Sequence, residues 1–309
     1  MLQNLFILSV SLFLVVKGSI SATKYAERLA KNFRMSKYIV GFVIIAIISI
    51  LPETFVSINS SLAGIPAFGL GTLFGSNVAD LTLVFVVIIV LSGRNIKIEN
   101  RILKNNITYP FLFLIPIILG LDGYYSRVEG TVLIIAGALF YYFAFKNSHS
   151  HSSHVKKDND HHKNAILLIA SMAVLLIGSY FTVSSAVNLA QNLGITPVLI
   201  GMLIVGVGTT MPELIFSLQA VKKHDDSLAV GDVLGTVLAD ATIVVGIIAI
   251  MNPFLFPQRI IYVTGVFMLL ASFILTYFMR TGKIVSKKES AFLFLFWIIF
   301  VLTEYFINR

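Results

Sequence analysis

The sequence contains no cysteine and a single tryptophan, and only 12% of its 309 residues are charged. Without cysteine there are no disulfides, no thiolate metal ligands and no thiol redox chemistry. The shortage of charge excludes water as the solvent. A soluble globular chain carries about 25% charged residues, whereas 57% of this chain is hydrophobic. Also missing is any G-x-x-x-x-G-K-[ST] loop, so nothing in the chain points to nucleotide hydrolysis as an energy source. Basic residues outnumber acidic ones, 23 to 15. In so apolar a chain that excess marks cytoplasmic loops and not a nucleic-acid partner.

What the chain does have is one apolar run after another, the pattern of an all-α polytopic membrane protein embedded in the lipid bilayer. No polar domain follows the first run, so residues 1–16 read as a first span and not as a cleaved leader. Hydropathy places ten transmembrane helices near 2–22, 37–62 (interrupted), 68–92, 107–121, 127–145, 164–190, 196–221 (interrupted), 227–251, 258–280 and 288–307. Basic residues collect after alternate spans. They include Lys17, Lys24, Arg28, Arg94, Lys97, Lys146, Lys163, Lys222, Lys223, Arg280 and Lys287, whereas the other loops hold only Arg127 and Arg259. Positive loops face the cytoplasm, so this alternation predicts that both termini lie outside the cell membrane.

The runs repeat. "LPETFVS" at 51–57 matches "MPELIFS" at 211–217, and "GTLFGSNVAD" at 71–80 matches "GDVLGTVLAD" at 231–240. Pro52 and Pro212, Glu53 and Glu213, Gly71 and Gly231, Gly75 and Gly235, and Asp80 and Asp240 share one offset, 160 positions. An odd number of spans per copy turns the second copy upside down. The expected architecture is therefore two inverted five-helix repeats, 1–145 and 164–309, with a binding site at the midplane where they meet.

The repeated "PE" explains why a helix breaker sits inside an apolar run. Proline has no N–H and crowds the carbonyl four residues back, here those of Ile48 and Gly208. Such irregular backbone survives in lipid only where protein or a polar cavity covers it. A carboxylate at bilayer depth costs about 2.5–3.5 kcal/mol even on lenient scales. Glu53, Asp80, Glu213 and Asp240 therefore demand protons or cations, since no Lys or Arg falls within the interior of those four spans. Carboxylates, hydroxyls and carbonyls together make an all-oxygen site suited to a hard cation such as Ca2+. The glycines read as close-packing points that let the helices approach, not as ligands.

At these residues the chain resembles the cation/calcium antiporter superfamily, and within it the prokaryotic sodium/calcium exchangers. The carriers of the resemblance are the two "PE" breaks, each followed by G-S-N-x-x-D or G-T-x-x-x-D in the next span, and it covers essentially the whole chain. It implies a non-enzymatic secondary antiporter that needs no cofactor, exchanging Ca2+ for Na+ by alternating access. Each family repeat reads approximately A-x-G-T-S-L-P-E. "GVGTTMPE" at 206–213 fits closely, which implies Glu213 as a central ligand, Thr209, Thr210 and the Gly206 carbonyl nearby, and Thr236 at an outer Na+ site. "AIISILPE" at 46–53 keeps Ala46, Ser49 and Glu53, and Ser76 keeps its hydroxyl, but Ile48 and Ile50 replace a glycine and a hydroxyl. Ile50 offers no oxygen, so the inner Na+ site weakens, and H+ or K+ coupling stands as the alternative. Asp80 adds an acid where many relatives have asparagine. Asp232, at a position where the family often has asparagine, lines the access path or caps a helix N-terminus.

The tract "KNSHSHSSHVKKDNDHHKN" at 146–164 spans the linker at 146–163 and holds five of the six histidines. It reads as a solvated linker, with cytoplasmic metal buffering as the alternative. A transition-metal transporter is disfavoured because the predicted spans offer neither histidine nor cysteine. An intramembrane aspartyl protease is disfavoured because "AVGD" at 229–232 lacks the first glycine of G-x-G-D. Glu304 is expected at headgroup level near the outer end of the last span.

Overall fold

The computed structural model describes residues 2–30, 42, 45–99, 109–146 and 161–308. Its helices, in chain order, are α1 (Leu2–Ala30), α2 (Ala46–Leu62), α3 (Pro66–Ser92), α4 (Tyr109–Leu119), α5 (Arg127–Lys146), α6 (His161–Leu193), α7 (Pro197–Lys222), α8 (Asp226–Met251), α9 (Ile260–Gly282) and α10 (Lys287–Asn308). Eight of these are long and apolar enough to cross a membrane. The other two, α2 and α4, are shorter. Most of the His-rich tract, 147–160, also lies outside the described residues, and His161 already belongs to α6.

Both helices with a "PE" motif break just before the proline. Ile50 and Thr210 carry ψ near −4°, and Pro52 and Pro212 stand in the first turn of the segment that follows. Proline is tolerated there because a first-turn N–H has no intrahelical acceptor. The expected release of the Ile48 and Gly208 carbonyls does not occur. Backbone N–H groups at each junction reach them, together with the carbonyls of Ala46 and Gly206. The break is thus a one-residue kink that keeps its hydrogen bonds, as backbone in an apolar medium must.

Four two-residue strands fix the relation between the halves. β1 (Ile96–Lys97), after α3, pairs antiparallel with β4 (Ile284–Val285), before α10; β2 (Tyr124–Tyr125), before α5, pairs with β3 (Phe254–Leu255), after α8. A two-fold operation that carries α3 onto α8 and α5 onto α10 exchanges these two pairs. The long helix α9 separates β3 from β4, so the pairs sit at opposite ends of the molecule. Helix α3 ends at one of them and its counterpart α8 at the other. Equivalent helices therefore run in opposite directions, and the repeat is inverted.

The 160-residue offset extends well beyond the sequence blocks. Gly64 closes α2 in the left-handed region at φ 76°, and His224 closes the first stretch after α7 at φ 61°. In both turns the next residue's N–H returns to a carbonyl five back, from Ile65 to Ser60 and from Asp225 to Ala220, the signature of a Schellman cap. At the far ends, Ser126 and Glu129 exchange reciprocal bonds at the start of α5, and Ser286 and Glu289 do the same at α10. These are capping boxes.

Packing separates a core from a flanking pair. One large apolar cluster joins α3, α7, α8, α9 and α10, with parts of α4 and α5. Helices α1 and α6 pack chiefly on each other, and smaller clusters attach them to α2, α3 and α7. Gly18 and Gly178, again 160 apart, mark their crossing: a Cβ on Gly18 would meet the Ser171 carbonyl at 3.3 Å, and one on Gly178 the Ser11 carbonyl at 3.2 Å. A partly buried ion pair, Arg94 with Asp226, ties the end of α3 to the start of α8. Asp226 also accepts the Lys97 N–H at 2.7 Å.

Candidate cation-binding site

Each of the four acids arises from a local feature. Glu53 and Glu213 stand in the first turn after the kink, where the dipole of the new helix segment favours a carboxylate. Asp80 and Asp240 each open a five-residue π-helical stretch, Asp80–Val84 and Asp240–Val244. Such wide turns inside α-helices frequently mark functional positions. A threonine follows in each, Thr82 to the Val78 carbonyl and Thr242 to the Leu238 carbonyl, at 2.5 and 2.6 Å.

All four carboxylates are fully buried, and neither oxygen of any of them has a hydrogen-bonding partner among the described residues. They feel one another. Asp80 and Asp240 both lie within electrostatic reach of Glu53, and Glu213 within reach of Glu53 and Asp80. The Thr209 hydroxyl stands beside the Glu53 carboxylate. Among the described residues no three His, Asp or Glu side chains form a group that would hold a metal ion by themselves.

The remaining residues singled out in the sequence are all buried in the same region. Ser49 is in the short turn before the first kink and donates to Asp232 at 3.0 Å. Thr209 and Thr210 donate to the carbonyls of Gly206 and Val207 at 3.0 and 2.9 Å. Ser76 donates to the Leu73 carbonyl at 2.9 Å, and the Thr236 hydroxyl has no partner among the described residues. The Ala46 carbonyl accepts the Ile50 N–H at 3.0 Å; that of Gly206 accepts the Thr210 N–H at 3.2 Å besides the Thr209 hydroxyl.

The two isoleucines part company. Ile48 packs in the cluster formed by Val15, Ala22 and Leu175 of α1 and α6. Its counterpart Gly208 also faces α1, where a Cβ would meet the Leu12 side chain. The substitution of glycine by Ile48 therefore changes the contact with the flanking pair. Ile50, by contrast, belongs to the main core cluster where the second half has the Thr210 hydroxyl.

Two further acids are buried, and one differs from what the sequence led one to expect. Asp232 caps no N-terminus: α8 begins at Asp226, and Asp232 lies inside it, fully buried, accepting from Ser49 and Ser217. It is also within electrostatic reach of Asp80 and Glu213. Glu304, near the end of α10, is buried against α9 and accepts from the Thr264 hydroxyl at 2.5 Å. A helical residue near a membrane boundary faces lipid or protein according to its helix face, which a hydropathy profile does not resolve.

A helical membrane protein made of two inverted halves, with buried, unpaired carboxylates repeated in both, has the architecture of an ion-coupled secondary transporter. The chain belongs to the sodium/calcium exchanger protein family, whose sequence model matches residues 4–146 and 163–306. It is 25% identical to the sodium/calcium exchanger MaX1 of Methanosarcina acetivorans, over 98% of this chain and 99% of that one. It is 29% identical to an uncharacterised membrane protein of Methanocaldococcus jannaschii, over 74% of this chain and 76% of the other. Among solved structures, the sodium-calcium exchanger NCX_Mj soaked with 2.5 mM Na+ and 1 mM Sr2+ matches with a TM-score of 0.71 at 25% identity, covering 96% of each chain.

Proposed function

We propose that this protein exchanges Ca2+ for Na+ across the cell membrane by alternating access to one oxygen-lined midplane site. The observation that carries the reading is the set of four fully buried acids, two per half, with no hydrogen-bond partner for any oxygen among the described residues. Unpaired ionised carboxylates are untenable in an apolar interior, so the cargo itself supplies the compensating charge. Glu53 and Glu213 bind Ca2+, which takes six to eight oxygens, and Asp80 and Asp240 complete the charge balance. The hydroxyls of Ser49, Ser76, Thr209, Thr210 and Thr236, with the carbonyls of Ala46 and Gly206, supply neutral oxygens for which Na+ competes. Loading by one ion then expels the other.

The repeats are 1–145 and 164–309, joined by the linker at 146–163, with both termini outside. Access alternates as the α1–α6 pair rocks against the core. Its separate apolar clusters and its glycine-mediated crossing support a unit that moves as one body.

Radioactive Ca2+ uptake into proteoliposomes with an outward Na+ gradient tests the exchange. Uptake driven by Na+ is expected in the wild type, with a loss of at least about a hundredfold, equivalent to ~2.7 kcal/mol, in Glu53→Gln and Glu213→Gln. Uptake driven only by an outward H+ or K+ gradient would replace Na+ as the coupling ion. Absence of uptake under every gradient would remove Ca2+ as the cargo.

A further inference from the structure

The two halves differ at one pair of equivalent positions beside the acids, Thr72 and Asp232. Thr72 donates to the Phe68 carbonyl of its own helix at 3.0 Å. Asp232 gathers two hydroxyls from two other helices: Ser49 of α2 to Oδ1 at 3.0 Å and Ser217 of α7 to Oδ2 at 3.3 Å. Ser217 is also within 3.3 Å of the Ala229 carbonyl, as its counterpart Ser57 is within 3.5 Å of the Gly69 carbonyl. All three groups of the Asp232 network are buried, and the unpartnered carboxylates of Asp80 and Glu213 lie within electrostatic reach of Asp232.

We infer that Asp232, Ser49 and Ser217 form a cation subsite beside the four acids, one that takes the monovalent coupling ion and sets its affinity. This rests on the exchange reading above and deepens it. A hydroxyl that gives its proton to a carboxylate keeps its lone pairs free, so Ser49 and Ser217 present oxygen to a cation while Asp232 supplies a single negative charge. One charge and three side-chain oxygen groups fall well short of the six to eight oxygens, more than one of them anionic, that Ca2+ draws around itself. They suit a singly charged ion. The location agrees, because Ser49 adjoins Ile50, where the first half has lost the hydroxyl that the second keeps at Thr210. The second half returns an oxygen to that side of the site through Asp232.

The test measures Na+ dependence and Ca2+ dependence separately in wild type, Asp232→Asn, Asp232→Thr (the residue at the equivalent position 72) and Ser217→Ala. Two readouts are used: Ca2+ uptake in proteoliposomes, and thermal stabilisation of detergent-solubilised protein by NaCl against choline chloride. In both Asp232 variants the Na+ concentration for half-maximal effect rises by about tenfold or more, with a smaller rise in Ser217→Ala, while half-saturation by Ca2+ stays within about threefold. A purely structural role predicts lower melting temperatures with unchanged Na+ dependence, and that result overturns the inference. Equal shifts for Na+ and Ca2+ overturn it as well. Should the Asp232 variants fail to fold, Ser217→Ala decides, and an unchanged Na+ response there is contrary. If wild-type protein shows neither Na+-driven uptake nor Na+ stabilisation, the exchange reading itself has failed.

Discussion

Gly75 and its counterpart Gly235 sit where helices meet backbone to backbone. A Cβ built on Gly75 would fall 2.7 Å from the Met202 Cα, and one built on Gly235 would collide with the Phe42 carbonyl and lie 2.6 Å from the Ala46 Cβ. Phe42 and Met202 are themselves 160 residues apart, so the same contact is made twice. Since backbone cannot swing aside as a side chain can, Gly75→Ala should destabilise by about 1–3 kcal/mol or more, the usual cost of overpacking. Gly265→Ala is the control, since its nearest obstacle is the Ile117 side chain at 3.3 Å. Melting of the two solubilised variants checks this, and equal melting temperatures would remove the close-contact argument. At this scale the sequence was informative wherever residue type alone carried the meaning. A glycine in register with another glycine reads as packing, and an acid in register with another acid as a site. It was silent wherever meaning depended on a partner distant in the chain. Ser49 and Asp232 are 183 positions apart, and nothing local to either announces their hydrogen bond.

Single helices are governed by their ends, and the capping boxes of α5 and α10 show how far the duplication reaches. "SRVE" at 126–129 and "SKKE" at 286–289 carry the S-x-x-E pattern at the same 160-residue spacing. The pairing was legible, but it lies in polar flanks where a search led by apolar blocks does not look. In both boxes the glutamate accepts the serine N–H at 2.7 Å, and the serine accepts the glutamate N–H at 3.2 Å in one and 3.3 Å in the other. Ser126→Ala and Ser286→Ala should each cost about 0.5–2 kcal/mol. Because the two helix starts lie at opposite ends of the molecule, the double variant should lose the sum of the single losses. Hydrogen exchange should locate each loss in the first turn of its own helix; a loss spread over the core would mean that the caps do more than hold their helix ends. The π-helical stretches at Asp80 and Asp240 belong to the part that sequence does not reveal. A five-residue widening changes no residue type and leaves the apolar pattern intact.

At the scale of the whole molecule, the proposed exchange requires that something move while the acids stay sheltered. The paired strands and the Arg94–Asp226 tie join the two halves of the core, whereas α1 and α6 touch it through small clusters and a few polar contacts. Two hydrogen bonds distinguish motion within the flanking pair from motion of the pair against the core. Thr182 of α6 donates to Ser11 of α1 at 3.0 Å, a contact inside the pair. Asn59 of α2 donates to Ser179 of α6 at 2.5 Å, a contact between the pair and the core. The chain has no cysteine, so each introduced pair of thiols reacts alone. Oxidising Asn59→Cys/Ser179→Cys should reduce Ca2+ uptake by more than about tenfold, or 1.4 kcal/mol in effective barrier, and reductant should restore it. Oxidising Ser11→Cys/Thr182→Cys should leave uptake running if the two helices travel together, as proposed. If instead the link inside the pair stops transport and the link to the core does not, α1 and α6 move separately. The glycine crossing would then be a sliding contact, and the two halves would alternate access by moving one helix at a time.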